Sequence, residues 1–275
     1  MPTTIILKDS EEIAHDRNSK TISVPDGRNN GAKEIISRMV GVLSILPPWI
    51  DKRVFATSLV VAANELKESK ANECSNASFV IAAFNAARIG LPPGSLMGLT
   101  YFIPRKRRIN LEIGYKGYLE LGYRAKFLKS CYADVVLRDE VEMDLFRFEV
   151  KDNRAQIYHR PLLDRDTVDN ASLRTKVIGA YACWETTAGG SSCRWITRHQ
   201  LDSVDTQSNV WASNYYEMCR KSPLRLGAKD WRMTCDLSEA LNLDYLSESG
   251  QEQHRYDQIL LKQFLRSEIE SDHLY

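Results

Sequence analysis

Several features of catalytic, secreted and membrane proteins are missing from this 275-residue sequence. No apolar run approaches the roughly 20 residues that a membrane-spanning helix needs, so no membrane association is expected. The six cysteines and five histidines are scattered without a CxxC pair, which argues against a disulfide framework and against a metal site. There is no GxxxxGK[ST] loop, so neither a nucleotide-driven motor nor another cofactor is indicated. Without a secretory signal, the thiols are expected to be reduced and the location cytoplasmic.

Charge is nearly balanced over the whole chain but is divided along it. The formal net charge is +1, yet Tyr101–Lys129 carries eight Lys or Arg residues and two Glu. From Asp236 to the end, nine Asp or Glu residues outnumber three Lys or Arg. The centre is therefore basic and the tail acidic, so the low net charge does not exclude a nucleic-acid partner.

Composition divides the chain into three parts. Residues 1–30 carry Ser, Asn, Asp and Gly clusters without a sustained hydrophobic period, which predicts a mobile arm. Residues 31–244 contain the periodic apolar segments of a folded core. Residues 245–275 form an acidic tail whose apolar residues have helical spacing, typical either of a surface helix or of a docking helix for a partner.

Helical periodicity dominates the first part of the core. One buried helix is predicted from Lys33 to the proline pair at Pro47 and Pro48. A second helix begins at Asp51 as an N-cap, and a third runs from about Asn76 to a stop at Gly90.

The period then changes to that of β-strands. A hairpin is predicted with the run RKRR at its turn or edge, followed by a short helix that opens at Gly114. The further predicted strands are Ser130 to Leu137, Leu145 to Val150, Gln156 to His159, Val177 to Thr186 and Cys193 to Thr197. Helices return at Arg198 to Val204 and over most of Trp211 to Leu243. This order predicts an α+β fold with N-terminal helices, a central, mostly antiparallel β-sheet with an embedded helix, and C-terminal helices.

The basic centre combines cations with aromatic rings. Four consecutive cations at the hairpin precede Tyr115 and Tyr118, which lie three residues apart and so near one face of the predicted helix. Cations along a phosphate backbone, with rings on which bases stack, are what binding to a single strand without sequence preference requires. The alternative is a solvated loop that protects an edge strand.

A second basic segment extends from Trp211 to Arg232. Pro223 suits the first turn of a helix and makes Ser222 its expected N-cap, which would direct backbone amides and Lys221 at a phosphate. Arg225 lies one turn after Lys221. An exposed face of a C-terminal helix accounts equally well for these charges.

An enzymatic alternative is a metal-dependent nuclease or another nucleic-acid-processing enzyme. Its carboxylates would come from the only dense acidic group, Asp134, Asp139, Glu140, Glu142 and Asp144. Strand alternation should scatter these side chains over both faces. His159 has no Ser or Cys nucleophile motif beside it and is expected to be structural.

The segment Leu91 to Arg124 resembles the signature of the RecT family of phage single-strand annealing proteins. Its most specific part is the I-G-Y-K-G run at Ile113 to Gly117, and later landmarks follow in order at His159, Trp211 and the Lys221-Ser222 pair. The resemblance covers roughly Ile35 to Asp244.

The resemblance implies an ATP-independent recombinase, not an enzyme, that acts on single-stranded DNA and anneals it into duplex DNA. It implies a homo-oligomer, as a ring or a helical filament, that works beside an exonuclease and the host single-strand-binding protein in a bacterial host cell, with a phage or prophage origin. Together with the charge pattern it predicts the following DNA-binding residues: Arg105, Lys106, Arg107, Arg108, Tyr115, Lys116, Tyr118, Arg124, Lys126, Trp211, Lys221, Ser222 and Arg225.

Overall fold

The computed structural model of the protein describes residues 40–68, 74–151, 154–162, 170–204 and 209–253. The predicted N-terminal arm at 1–30 and the tail from residue 254 onward lie outside these ranges. The predicted helix from Lys33 is described only from residue 40, and residues 40–44 are helical.

Helices lie before, within and after the strands. After the helical residues 40–44 they are α1 (Lys52–Glu68), α2 (Asn76–Ile89), α3 (Tyr115–Arg124), α4 (Arg138–Glu142), α5 (Asn170–Lys176), α6 (Arg198–Val204), α7 (Asn209–Ser213), α8 (Tyr215–Ala228) and α9 (Cys235–Glu248). The strands are β1 (Thr100–Arg105), β2 (Arg108–Ile113), β3 (Leu128–Leu137), β4 (Phe146–Lys151), β5 (Arg154–His159), β6 (Val177–Thr186) and β7 (Ser191–Thr197). The predicted α+β class is confirmed.

The helix ends follow local hydrogen-bonding rules. The Asp51 carboxylate accepts from the backbone N–H groups of Arg53 and Val54, at 2.7 and 3.0 Å, and these bonds lower the pKa of Asp51. The Ser75 hydroxyl accepts from the Ser78 N–H, and Gly90 ends α2 in the left-handed conformation at φ 64°. The predicted starts of α1 and α2 and the stop at Gly90 are therefore confirmed.

The strands form three small antiparallel sheets among the described residues, where the sequence predicted one central sheet. β1 pairs with β2, β4 pairs with β5, and the third sheet has the order β3-β6-β7. The strands predicted at Val177 to Thr186 and Cys193 to Thr197 pair with each other as the β6–β7 hairpin. The short helices α4 and α5 were not predicted.

Helix α8 joins two hydrophobic clusters. Its Leu224 and Ala228 pack in the cluster that contains α1, α2, the β1–β2 hairpin and α9. Its Tyr215 and Cys219 pack in the cluster over the β3-β6-β7 sheet. The helix therefore holds the hairpin and the sheet in one fixed arrangement.

The predicted boundary at residue 244 falls inside α9. Beyond this helix, the Gln253 amide donates to the carbonyl of Leu111 at 2.7 Å and accepts from its N–H at 2.8 Å. The first residues of the predicted tail are thus bound to β2.

Candidate nucleic-acid interface

The two basic segments of the sequence converge on one groove. Its first wall is the outer face of the β1–β2 hairpin and the second is α8. Two adjoining cavities of about 470 and 220 Å³ share Glu112, Met218 and Lys221, so they form one continuous depression, referred to below as the groove.

Strand register decides which hairpin residues reach the groove. Tyr101 pairs with Glu112, and Arg105 pairs with Arg108, so these side chains share the outer face. Phe102 lies on the opposite face and packs edge-on against Phe79, with ring centroids 5.3 Å apart. Tyr101 is 36% exposed at the groove, and partial burial raises the pKa of its hydroxyl.

A buried carboxylate anchors the groove floor. Asp244 is 1% exposed and accepts from the Ile113 N–H at 2.8 Å and the Tyr118 hydroxyl at 2.7 Å. The Lys221 Nζ lies 3.0 Å from the same carboxylate. Since Lys221 is only 8% exposed, its charge is neutralised inside the protein.

Two arginines of the groove are also paired. Arg105 contacts Glu112 at 2.8 Å through Nε, and Glu112 accepts a further bond from the Ser247 hydroxyl. Arg225 Nη1 lies 2.8 and 2.6 Å from the two carboxylate oxygens of Glu248. Desolvation in the groove outweighs the attraction of Arg225 and raises the pKa of Glu248. The interior cations are thus matched by carboxylates of the same molecule.

Exposed cations lie at the edge of this neutralised interior. Lys106 and Arg107 form the hairpin turn with φ of 48° and 63°, and both side chains are exposed. Neither lines the groove itself, but Lys106 lines an adjoining cavity that shares Arg105 and Glu248 with it. Lys116 is exposed on the first turn of α3 and lines the groove. Within the described ranges these three cations, referred to below as the rim cations, have no ion pair. Arg108, beside them, pairs with Glu252.

Of the aromatic residues predicted to bind DNA, one lies at the groove and two are buried in the core. Tyr115 is half-buried at the groove, with the Arg220 guanidinium 4.5 Å from its ring centroid. Tyr118 is fully buried at 0% exposure, and burial raises the pKa of its hydroxyl well above the usual value. Trp211 is 3% exposed and packs beside Tyr215. The rings of Tyr118 and Trp211 are therefore covered by the protein and are not accessible to bases in this fold.

The Arg124 side chain lies where α2, α3 and α9 meet. Its guanidinium donates to the carbonyls of Ile89 and Gly90, at 2.6 and 3.0 Å, and lies 3.2 Å from Asp236. It therefore binds the C-terminal end of α2, where carbonyls lack helical partners. Lys126 is exposed just beyond the far end of α3, and it is not among the residues that line the groove.

The expected helix start at Ser222 is wrong. Helix α8 runs through this position, with Pro223 in its interior. Since proline has no N–H, one backbone hydrogen bond of the helix is missing there. The Ser222 hydroxyl donates to the Met218 carbonyl at 2.9 Å, so no free helix N-terminus is directed at a phosphate.

The acidic group considered for a nuclease is dispersed. Asp134 accepts from the Tyr132 and Tyr216 hydroxyls, while Asp139 pairs with Lys176. Glu140 is buried against the imidazole of His159 at 3.1 Å. No cluster of three potential metal ligands occurs in the described part of the chain. His159 is structural, as expected, since its other nitrogen lies 3.0 Å from the Tyr181 hydroxyl.

Comparison with known proteins matches residues 55–255 to the family model described as the RecT family. Protein RecT of Escherichia coli (strain K12) is 28% identical over 198 residues, which cover 67% of this chain and 69% of that protein. The chain belongs to the RecT family. Membership supports a role in DNA recombination and single-strand annealing, and the resemblance inferred from the motif is confirmed.

The I-G-Y-K-G motif has a packing explanation within this RecT-family fold. A Cβ on Gly117 would lie 2.2 Å from the Leu99 carbonyl oxygen, and one on Gly114 would lie 2.5 Å from that of Gly98. Gly114 also donates its N–H to Leu99 at 2.8 Å. The two glycines allow α3 to approach this loop closely, which places Lys116 beside Tyr101 at the groove.

Sequence reasoning missed the carboxylates that pair with the cations of this groove. Glu112, Asp244 and Glu248 entered only as opposing charges, although each contacts a cation predicted to bind DNA. The strand alternation of Glu112, opposite to its apolar neighbours, was an available signal.

Among the helices that the structure describes, none is long and apolar enough to cross a membrane.

Proposed function

We propose that this RecT-family protein binds single-stranded DNA along the groove between the β1–β2 hairpin and α8, and anneals it to a complementary strand. It does so without ATP and as an oligomer. An exonuclease and a single-strand-binding protein are proposed partners that deliver such strands.

The observation that carries the proposal is the contrast between the rim cations and the groove interior. Lys106, Arg107 and Lys116 are exposed, and the structure pairs none of them in its described part. Arg105, Lys221 and Arg225 are held by carboxylates. A phosphate backbone gains most from cations that give up no internal ion pair, so the rim cations are its contacts.

The groove also offers an accessible ring for base stacking. Tyr101 lines it with a partly exposed side chain, so a base can stack there without disturbing the core. The proposed contacts go to phosphates and ring faces, so the protein does not read base edges. Pairing between the strands then selects the partner, and annealing needs no bond-making side chain.

An annealing assay tests this function. Two complementary labelled oligonucleotides are mixed with the full chain, in the presence of a chelator and without nucleotide. The protein is expected to accelerate duplex formation, and the combined change Lys106→Ser, Arg107→Ser and Lys116→Ser is expected to slow it.

The matched control removes three exposed cations on or directly after the β4–β5 hairpin, through Lys151→Ser, Arg154→Ser and Arg160→Ser. Both triple variants change the net charge equally. If DNA binds specifically at the groove, only the first variant should anneal strands more slowly. Equal loss in both would refute the groove. Degradation of the labelled strands when Mg2+ replaces the chelator would refute annealing as the activity.

A further inference from the structure

Two cysteines face each other across neighbouring strands. Cys183 on β6 is the register partner of Cys193 on β7. At the turn of this hairpin, the Thr186 N–H donates to the Gly190 carbonyl at 2.7 Å, which marks a hydrogen-bonded position. Hydrogen-bonded and non-hydrogen-bonded pairs alternate along an antiparallel ladder, so the cysteine pair three steps further is non-hydrogen-bonded.

This position suits a disulfide. The Cα atoms of directly opposed residues in a non-hydrogen-bonded pair lie about 4.5 Å apart. Disulfides bridge Cα separations of about 4.4–6.8 Å, and both side chains project from the same face of the sheet. The register of Cys183 and Cys193 is therefore one that a disulfide can bridge.

The pair is accessible to small oxidants. Both thiols are free and half-buried, and they line an open cleft of about 440 Å³ between the sheet and the β4–β5 hairpin. Cys131, a third thiol at this cleft, lies on β3 opposite Trp184. None of these three cysteines lines the proposed DNA groove.

The local environment distinguishes the three thiols. Cys183 donates its S–H to Cys193, which lowers the pKa of Cys193 and raises that of Cys183. Burial raises the pKa of Cys131 to about 12. Since the thiolate is the nucleophile, Cys193 reacts first and Cys183 is placed to resolve the product.

We propose that Cys183 and Cys193 form a redox-active dithiol that hydrogen peroxide converts into a cross-strand disulfide. The Cys193 thiolate attacks one peroxide oxygen, the O–O bond breaks, and the hydroxide released takes up a proton to leave as water. The Cys183 sulfur then attacks the resulting sulfenic acid, the S–O bond breaks, and a second water leaves with the Cys183 proton. Two thiols are oxidised and one peroxide is reduced to two waters.

The product would fasten one edge of the sheet. β7 ends the order β3-β6-β7, so the disulfide ties an edge strand to the central strand. The proposal does not rest on DNA binding, and it holds or fails separately from the annealing function.

Peptide mapping tests the proposal on the full chain. The folded protein is treated with hydrogen peroxide, its remaining thiols are alkylated, and it is cleaved with trypsin without reductant. Both cysteines fall in one peptide, residues 177–194, because no Lys or Arg lies between Lys176 and Arg194. The expected peptide carries no alkyl group and is lighter than the reduced peptide by two hydrogens.

Cleavage after Glu185 separates the two cysteines, so the fragments should stay joined until reductant is added. Recovery of both cysteines in alkylated form after peroxide treatment would overturn the proposal. So would a linkage from either cysteine to Cys131.

Serine variants assign the two roles. In Cys183→Ser, the sulfenic acid on Cys193 should persist and be trapped by a cyclic 1,3-dione. In Cys193→Ser, Cys183 should remain alkylatable. The matched control Cys131→Ser should form the Cys183–Cys193 link at the wild-type rate, and loss of the link there would contradict the assignment.

Discussion

Glu248 occupies the space beside Arg225 that a phosphate oxygen would need. Both of its carboxylate oxygens lie within 2.8 Å of Arg225 Nη1, and its own side chain remains partly exposed. The pair is therefore open to exchange, unlike that between Lys221 and the buried Asp244. Glu248 therefore keeps Arg225 from contacting a phosphate of bound DNA.

Glu248→Gln should therefore tighten binding of single-stranded DNA at neutral pH by about five-fold, which corresponds to about 1 kcal/mol for a partly exposed ion pair. Fluorescence anisotropy with a labelled oligonucleotide measures the change. Glu239→Gln is the control, because it alters the same helix but removes a partner of Arg88. If the two changes had equal effects, the gain in affinity would come from the change in net charge and not from the release of Arg225.

The same pair should make binding depend on pH. Because the pKa of Glu248 is raised, its protonated form appears at a higher pH than for a free glutamate. As pH falls towards this pKa, Arg225 is released and wild-type affinity should increase. The Glu248→Gln variant already lacks the charge, so its affinity should change less over the same interval.

At the scale of elements, Arg124 connects the end of α3 to the end of α2. Its two hydrogen bonds to the Ile89 and Gly90 carbonyls are charge-assisted, and Asp236 orients the guanidinium from α9. Three helices therefore meet at one side chain. An arginine in this position contributes to stability whether or not DNA is bound.

Arg124→Gln should lower the free energy of unfolding by about 2 kcal/mol, and hence the thermal midpoint by about 5 °C. Lys129→Gln is the control, since it removes an exposed cation paired with exposed Glu185 and should leave the midpoint nearly unchanged. At a temperature where the variant stays folded, DNA affinity should match the wild type. A weakened affinity with an unchanged midpoint would instead make Arg124 a DNA contact.

Helices and strands could be predicted from the sequence where the interactions that define their limits are local. The Asp51 cap, the Gly90 stop and the limits of β6 follow from a few neighbouring residues. The groove depends on contacts that span the chain, such as that between Ile113 and Asp244. From the sequence, Lys221 was therefore predicted to be an exposed cation. Its partner, Asp244, lies on the next helix, α9, and could not be identified from neighbouring residues. Tyr115 and Tyr118 have helical spacing that predicts one face, but only the fold determines which ring faces the core.

Over the whole molecule, charge is organised as a neutralised interior with an exposed basic edge. The net charge of +1 conceals this arrangement, because carboxylates of α9 and β2 offset the cations of α8 and the hairpin. Only cations outside such pairs release counterions from DNA without breaking an internal contact. The salt dependence of binding should therefore report the rim cations.

For a single strand, each phosphate contact contributes about 0.7 to the slope of log affinity against log salt concentration. Combined replacement of Lys106, Arg107 and Lys116 by Ser should therefore reduce the slope by about 2. The replacement of Lys151, Arg154 and Arg160 by Ser should leave it unchanged, since Lys151 and Arg154 lie on the β4–β5 hairpin and Arg160 directly follows it. Binding titrations across a range of salt concentrations with one oligonucleotide measure both. A full wild-type slope in the rim variant would mean that the paired cations of the groove exchange their carboxylates for phosphates, and the division between interior and rim would then be wrong.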